Sequence, residues 1–109
     1  MMSTKILQGL GVSAGVATGS IRQVKGAEDG ARFKEGEILV TKITDPTMVI
    51  MMNKAAGIVC DIGGMTSHPS IISRELGIPC IVNAKEATIK LKDGQTVSIN
   101  GTTGEIFLD

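Results

Sequence analysis

The sequence predicts a small α/β domain in which one β-sheet is flanked by helices. The chain has 109 residues, a length typical of one domain, and 42% of them are hydrophobic. Apolar segments of strand length lie near both ends of the chain. Between them, strand-like and helix-like segments alternate in the order strand, helix, strand, helix, strand. We therefore expect a single domain over residues 1–109.

The first half is predicted to contain a glycine-rich lead, two strands and a helix. Loose alternation of apolar residues over 16–24 predicts an edge strand, and 37–41 predicts the next strand. Asp45 is the expected N-cap of the helix and Pro46 its first residue, and Gly57 is expected to end it. The methionines of this helix recur at i, i+3 and i+4, which favours core packing over a ligand groove.

The second half is predicted to contain one helix between two short strands, followed by a hairpin. The expected strands are 57–61, 81–82, 95–99 and 105–108. The helix should cover about residues 68–76, with Thr66 and Ser67 as candidate caps at its start and Gly77 at its end.

Composition argues against several classes of function. The net charge is zero, basic residues are scattered, and there is no Trp or Tyr, so neither nucleic acid nor a membrane is expected as a partner. Cys60 and Cys80 form no C-x-x-C pair, and with one histidine they cannot make a four-ligand zinc site. We expect two buried free thiols, a reducing cytoplasmic location and no metal site.

The strongest chemical signal is a Gly-Gly loop that leads into the only histidine. Gly63 and Gly64 let a backbone or a substrate approach closely. The hydroxyls of Thr66 and Ser67 can donate to phosphate oxygens. His68 is expected at a helix N-terminus, where free N–H groups and the helix dipole favour an anion and keep the imidazole neutral. These residue types in this order suit a phosphorylated histidine.

On the residues alone, two other interpretations stay open. His68 could be a satisfied histidine at the rim of the core, next to Ile71 and Ile72, with Thr66 and Ser67 serving only as caps. A hydrolytic or metal role is weaker, because there is no G-x-S-x-G elbow and adjacent Ser and His residues make a poor triad.

The segment Gly63-Gly64-Met65-Thr66-Ser67-His68, together with Ser73-Arg74-Glu75-Leu76-Gly77-Ile78-Pro79, resembles the phosphohistidine signature of phosphoenolpyruvate-utilising enzymes. This family includes pyruvate phosphate dikinase, phosphoenolpyruvate synthase and enzyme I of the sugar phosphotransferase system. Residues 9–19 and 100–106 also resemble the ends of the family's mobile domain. The resemblance implies a swivelling β/β/α domain, which carries a phosphoryl group between a nucleotide-binding domain and a phosphoenolpyruvate/pyruvate barrel.

The resemblance also implies roles for particular residues. His68 would accept the phosphoryl group, and Gly63, Gly64, Thr66 and Ser67 would bind it. Arg74 lies about 240° around the helix from His68, so it is expected to anchor the helix. Asn83 replaces the usual glycine and, like glycine, tolerates a left-handed conformation.

The resemblance implies no cofactor on this domain and no turnover by this chain alone. ATP or phosphoenolpyruvate and Mg²⁺ are expected on partner domains or subunits that bind nucleotide and phosphoenolpyruvate or pyruvate. The chain would be a phosphotransferase component, either working in trans or excised from a longer enzyme. Two alternatives remain: a non-catalytic binding module on the same fold, and a swivelling subunit of an aconitase-like dehydratase, against which the T-S-H triplet argues.

Overall fold

The computed structural model describes residues 3–109, so Met1 and Met2 of the expected domain lie outside the described residues. Eight strands in this range join into one sheet. Their bounds are Thr4–Gln8 (β1), Leu10–Ser13 (β2), Val16–Gln23 (β3), Ile38–Thr41 (β4), Gly57–Cys60 (β5), Cys80–Val82 (β6), Thr96–Asn100 (β7) and Glu105–Leu108 (β8). Their order across the sheet is β1-β8-β7-β3-β4-β5-β6-β2, which confirms the predicted single-sheet α/β fold.

The centre of the sheet is parallel and its two margins are antiparallel. β3, β4, β5 and β6 run parallel, whereas β7, β8 and β1 continue the sheet antiparallel on one side and β2 does so on the other. Every residue of β4, β5 and β6 is buried, as expected for parallel strands covered on both faces. The prediction of an edge position for the strand at 16–24 was wrong, because β3 pairs with both β7 and β4.

Within residues 3–109, three short α-helices cover the sheet: Val49–Lys54 (α1), His68–Leu76 (α2) and Ala87–Lys90 (α3). A 3₁₀ turn, Pro46–Met48, precedes α1, and the carboxylate of Asp45 caps it by accepting a 2.8 Å hydrogen bond from the Thr47 N–H. Gly57 does not end this helix, contrary to expectation. The helix ends at Lys54, and Gly57 lies in β5.

Alternate residues along the strands feed two hydrophobic clusters, one on each face of the sheet. In β4, for example, Ile38 and Val40 belong to one cluster and Leu39 to the other. The first cluster also takes residues from the antiparallel strands and α3, and the second takes the methionines of α1 and the inner side of α2. Cys60 and Cys80 are buried and free in the second cluster, as predicted.

Within residues 3–109, no helix combines the length and apolar character that crossing a bilayer demands.

Candidate functional site

The candidate site lies where parallel strands end. β4 and β5 are adjacent and parallel, so the loops that follow them leave the same edge of the sheet. Open α/β sheets bind ligands at this carboxyl edge. The loop after β4 carries Thr44, and the loop after β5 carries the Gly-Gly segment into α2. Two segments far apart in the sequence therefore meet beside the histidine.

His68 is the first residue of α2, as the sequence predicted, and its ring is half-buried. Its Nδ1 atom lies 2.7 Å from Oγ1 of Thr44, a residue that is only 3% exposed. Among the residues described, Nε2 has no hydrogen-bond partner. In the tautomer that carries its proton on Nδ1, the ring donates to Thr44 and the Nε2 lone pair stays available as a nucleophile.

Thr44 was missed by sequence reasoning. It lies 24 residues before His68, in a loop without a recognisable motif. The only sequence signal is indirect: it follows a predicted strand that should be parallel to the strand before the Gly-Gly loop. Which hydroxyl in that loop reaches the imidazole depends on the tertiary structure.

The Gly-Gly loop is closed around the carbonyl of Gly64. That oxygen accepts hydrogen bonds from Ser67 Oγ at 2.8 Å, Ser70 Oγ at 2.6 Å and the Ser67 N–H at 3.2 Å. Gly63 has φ +127°, a conformation that L side chains rarely adopt. Ser67 stands at the predicted N-cap position, but its side chain makes no capping bond and braces the loop instead.

Several donors near His68 are uncommitted within the described part of the chain. Thr66 is exposed, and its hydroxyl has no hydrogen-bond partner there. The N–H groups of His68 and Ser70, at the first and third positions of α2, also lack an acceptor, and Pro69 between them has no N–H. An anion in front of this helix would meet these donors together with the positive end of the helix dipole.

The pKa values of one carboxylate in the loop after β4 and of two buried thiols are shifted. The side-chain and backbone hydrogen bonds from Thr47, with a smaller electrostatic contribution from His68, hold the pKa of Asp45 below its usual value. Burial raises the pKa of Cys60 well above its usual range and that of Cys80 to about 11.

Two further residues lie where the sequence predicted. Arg74 donates from Nε to the carbonyl oxygen of Val12 at 2.7 Å and so anchors α2 to β2. Asn83 adopts the left-handed conformation, with φ 53°. Among residues 3–109, there is no group of three or more His, Cys, Asp and Glu side chains that could hold a metal ion.

Comparisons with known proteins point to one family. The sequence model described as "PEP-utilising enzyme, mobile domain" matches residues 33–104. The phosphoenolpyruvate synthase of Pyrococcus furiosus is 52% identical over 102 residues, and the Archaeoglobus fulgidus relative, a probable phosphoenolpyruvate synthase, is 46% identical over 102 residues. Each alignment covers 94% of this chain but only 12% and 14% of those proteins, so the chain spans a small part of the length of these relatives.

A solved structure of an Enzyme I protein matches 69% of this chain and 31% of its own, with a TM-score of 0.60 and 28% identity.

Proposed function

Since the chain belongs to the family of mobile domains of PEP-utilising enzymes, we propose that it carries a phosphoryl group on Nε2 of His68 from one active site to another. The observation that carries the proposal is the pairing of Nδ1 with the buried hydroxyl of Thr44. This contact orients the ring and leaves the other nitrogen without a partner among the described residues. We infer that Thr44 accepts from the Nδ1–H group, which is the tautomer in which Nε2 is the nucleophile. A histidine that served only to complete the core would be expected to have both nitrogens paired.

In the proposed transfer, the Nε2 lone pair attacks the phosphorus atom of the donor. The Nε2–P bond forms as the bond between phosphorus and the donor's leaving group breaks, and the electron pair departs with that leaving group. The ring becomes cationic and keeps the proton on Nδ1, from which Thr44 Oγ1 accepts a hydrogen bond. The reverse sequence delivers the phosphoryl group to the acceptor and restores the neutral imidazole.

The surroundings of His68 suit a bound phosphoryl group. The uncommitted N–H groups of His68 and Ser70 and the hydroxyl of Thr66 supply donors for its oxygens. Gly64 leaves open space on its Cβ side, with no atom within 4 Å of that position. Gly63 and Ser67 support the site without contacting the phosphate, because the hydroxyl of Ser67 is already bonded to the Gly64 carbonyl. Their role is to hold the loop, while Gly64 and Thr66 face the phosphate.

Partner domains or subunits would supply the rest of the reaction. We assign ATP or phosphoenolpyruvate and Mg²⁺ to nucleotide-binding and phosphoenolpyruvate- or pyruvate-binding partners, in agreement with the phosphoenolpyruvate synthases among the relatives. This domain of residues 1–109 supplies the carrier histidine, in trans or within a longer protein. It is a phosphotransferase component that turns over only with those partners.

The reactivity of His68 can be tested without any partner. Phosphoramidate transfers its phosphoryl group to accessible imidazoles and releases ammonia, so it should add one acid-labile, base-stable phosphoryl group to the wild type. His68→Ala should gain none, since it removes the single histidine. A label that is stable to acid, or that persists in His68→Ala, would place the phosphoryl group on another residue and leave the protein as a binding module.

A further inference from the structure

We propose that the apolar collar, defined as Ile43, Ile62, Met65 and Ile71, is the surface through which this domain docks onto the partner that phosphorylates it. The proposal rests on the proposed function, because a carrier must insert His68 into a second active site. The proposal implies that the docking surface of the partner has an apolar rim around a cationic centre.

The four side chains of the collar are exposed to solvent and are not part of the hydrophobic core. Ile43 is 37% exposed, Ile62 44%, Met65 55% and Ile71 44%. All four lie in the loops after β4 and β5 or on the first turn of α2, the same segments that build the site. Apolar side chains clustered around a functional group mark an interaction surface, whereas isolated exposed ones carry no such meaning.

Contacts of the two loops and α2 bring together the segments that carry these side chains. The Ile62 N–H donates to the Lys42 carbonyl at 3.1 Å, so the loop that carries Ile43 lies against the loop that carries Ile62. On α2, Ile71 lies between His68 and Arg74 around the helix. Met65 Sδ is 3.9 Å from Nη2 of Arg74, on the same side as Ile71.

Charge determines what the centre of the partner must contribute. Residues 61–73 include no Lys or Arg, and their one carboxylate, Asp61, accepts hydrogen bonds from Thr88. The loop after β4 contributes one charge of each sign, Lys42 and Asp45. Arg74 is committed to the Val12 carbonyl. A phosphoryl group on His68 would therefore have donors but no cationic side chain from its own loop. A partner that supplies cations complements it, and an apolar rim around them excludes water from the transfer.

The same argument excludes a second copy of this chain as the occupant. Two phosphorylated copies facing each other through the collar would bring two phosphohistidines and two Asp45 carboxylates together, and like charges at an interface repel each other. The occupant is therefore a partner of opposite charge at its centre.

The test compares two double variants in two labelling reactions. Met65→Gln with Ile71→Gln weakens the collar, and Ile50→Gln with Ile89→Gln is the matched control, since Ile50 and Ile89 are exposed isoleucines on α1 and α3, outside the collar. One reaction uses phosphoramidate. The other uses Pyrococcus furiosus phosphoenolpyruvate synthase from which the matching segment has been deleted, with ATP and Mg²⁺.

We expect the collar variant to accept phosphoryl groups from the enzyme at least about tenfold more slowly, and the control variant to stay within about twofold of wild type. All three proteins should react equally with phosphoramidate. Equal enzymatic rates for the collar and control variants would overturn the proposal, as would labelling of the wild type by phosphoramidate but not by the enzyme. If the wild-type chain alone forms dimers and the collar variant is monomeric, the occupant is a second copy of the chain, and the proposal is overturned. Failure of phosphoramidate to label His68 would instead contradict the proposed function.

Discussion

The hydroxyl of Thr44 pairs with one nitrogen of His68 and, in the proposed function, thereby leaves the other nitrogen as the reactive one. Oγ1 is within 2.7 Å of Nδ1 and nearly inaccessible to solvent, so the ring has one protected nitrogen and one available nitrogen. Thr44 does not touch the transferred group in this account. It acts through the imidazole, as a positioning residue.

Replacing Thr44 with valine should therefore impair transfer without removing the nucleophile. We expect Thr44→Val to slow phosphoryl transfer to His68 by about 5- to 100-fold, the equivalent of about 1–3 kcal/mol for a lost buried hydrogen bond. Thr44→Ser should restore most of the rate because it keeps the oxygen. ¹⁵N NMR of the imidazole gives a second readout, since the valine variant should contain more of the tautomer protonated on Nε2. Unchanged tautomer populations in Thr44→Val would contradict this role.

The two glycines of the loop should respond differently to alanine. Gly63→Ala is strained at φ +127°, and its Cβ would lie 2.9 Å from Ser67 Oγ, so it should lower the unfolding temperature. Gly64→Ala meets open space and should change the free energy of unfolding by no more than about 0.5 kcal/mol. If a donor approaches Gly64 closely, this variant should nevertheless transfer phosphoryl groups more slowly. Wild-type transfer by a stable Gly64→Ala protein would remove Gly64 from the site.

At the scale of elements, the sequence predicted the helix limits and strands that depend on the properties of neighbouring residues. Pro and Gly residues marked the limits of α2, and short apolar segments between turn residues predicted the central strands and the hairpin. The strands at residues 4–8 and 10–13 were missed, because glycines at 9 and 11 suggested an irregular lead. These glycines instead permit close packing: a Cβ at Gly11 would be 2.4 Å from the Gly101 carbonyl oxygen. This close packing involves segments that are far apart in the sequence, and so does the contact between Thr44 and His68. Local sequence patterns therefore do not predict either of them.

Gly57 gives a direct test of close packing between elements. A Cβ at this position would lie 2.5 Å from Cδ1 of Ile99 in β7, so Gly57→Ala should reduce the free energy of unfolding by about 1–3 kcal/mol. Ile99→Val removes that methyl group and should make the alanine less damaging in the double variant. Chemical denaturation of the four proteins measures the coupling. Strictly additive effects would show that the two side chains do not compete for the same space.

For the molecule as a whole, one ion pair links the centre of the sheet to the turn before β4. Arg22 Nη2 lies 2.9 Å from Glu37 Oε2, and the Lys34 N–H donates to Glu37 Oε1 at 2.7 Å. Burial acts to raise the pKa of Glu37, but the bonds from Arg22 and Lys34 outweigh it and hold the pKa below its usual value. The pKa of Asp29 is also lowered, chiefly by the Lys25 N–H.

These lowered pKa values predict the direction of acid sensitivity. In acid the unfolded chain takes up protons more readily than the folded chain, so the stability from Glu37 is full above its unfolded pKa and disappears as the pH falls through its folded pKa. Glu37→Gln should lower the free energy of unfolding by about 1–3 kcal/mol at neutral pH. The difference from wild type should shrink toward about pH 3.5, below the unfolded pKa of a glutamate. A difference that stays constant in urea titrations at both pH values would contradict this assignment.

The chain belongs to the mobile domains of PEP-utilising enzymes and matches only about an eighth of its phosphoenolpyruvate synthase relatives, 12% for the Pyrococcus furiosus protein. The domain accordingly holds the histidine and its supports, while nucleotide, phosphoenolpyruvate and Mg²⁺ are assigned to partners. The proposed division of labour requires that His68 both receive and release the phosphoryl group. Release to a second site distinguishes a carrier from a histidine that is merely reactive.

The most direct test is a two-stage intact-mass measurement on wild type and His68→Ala. The wild type is first incubated with a nucleotide-binding partner and ATP, purified, and then mixed with a phosphoenolpyruvate/pyruvate-binding partner and pyruvate. We predict that it gains one phosphoryl group in the first stage and loses it in the second as phosphoenolpyruvate forms, whereas His68→Ala stays unlabelled throughout. Equal labelling of His68→Ala, or a wild type that keeps its phosphoryl group with pyruvate and the second partner present, would contradict the account.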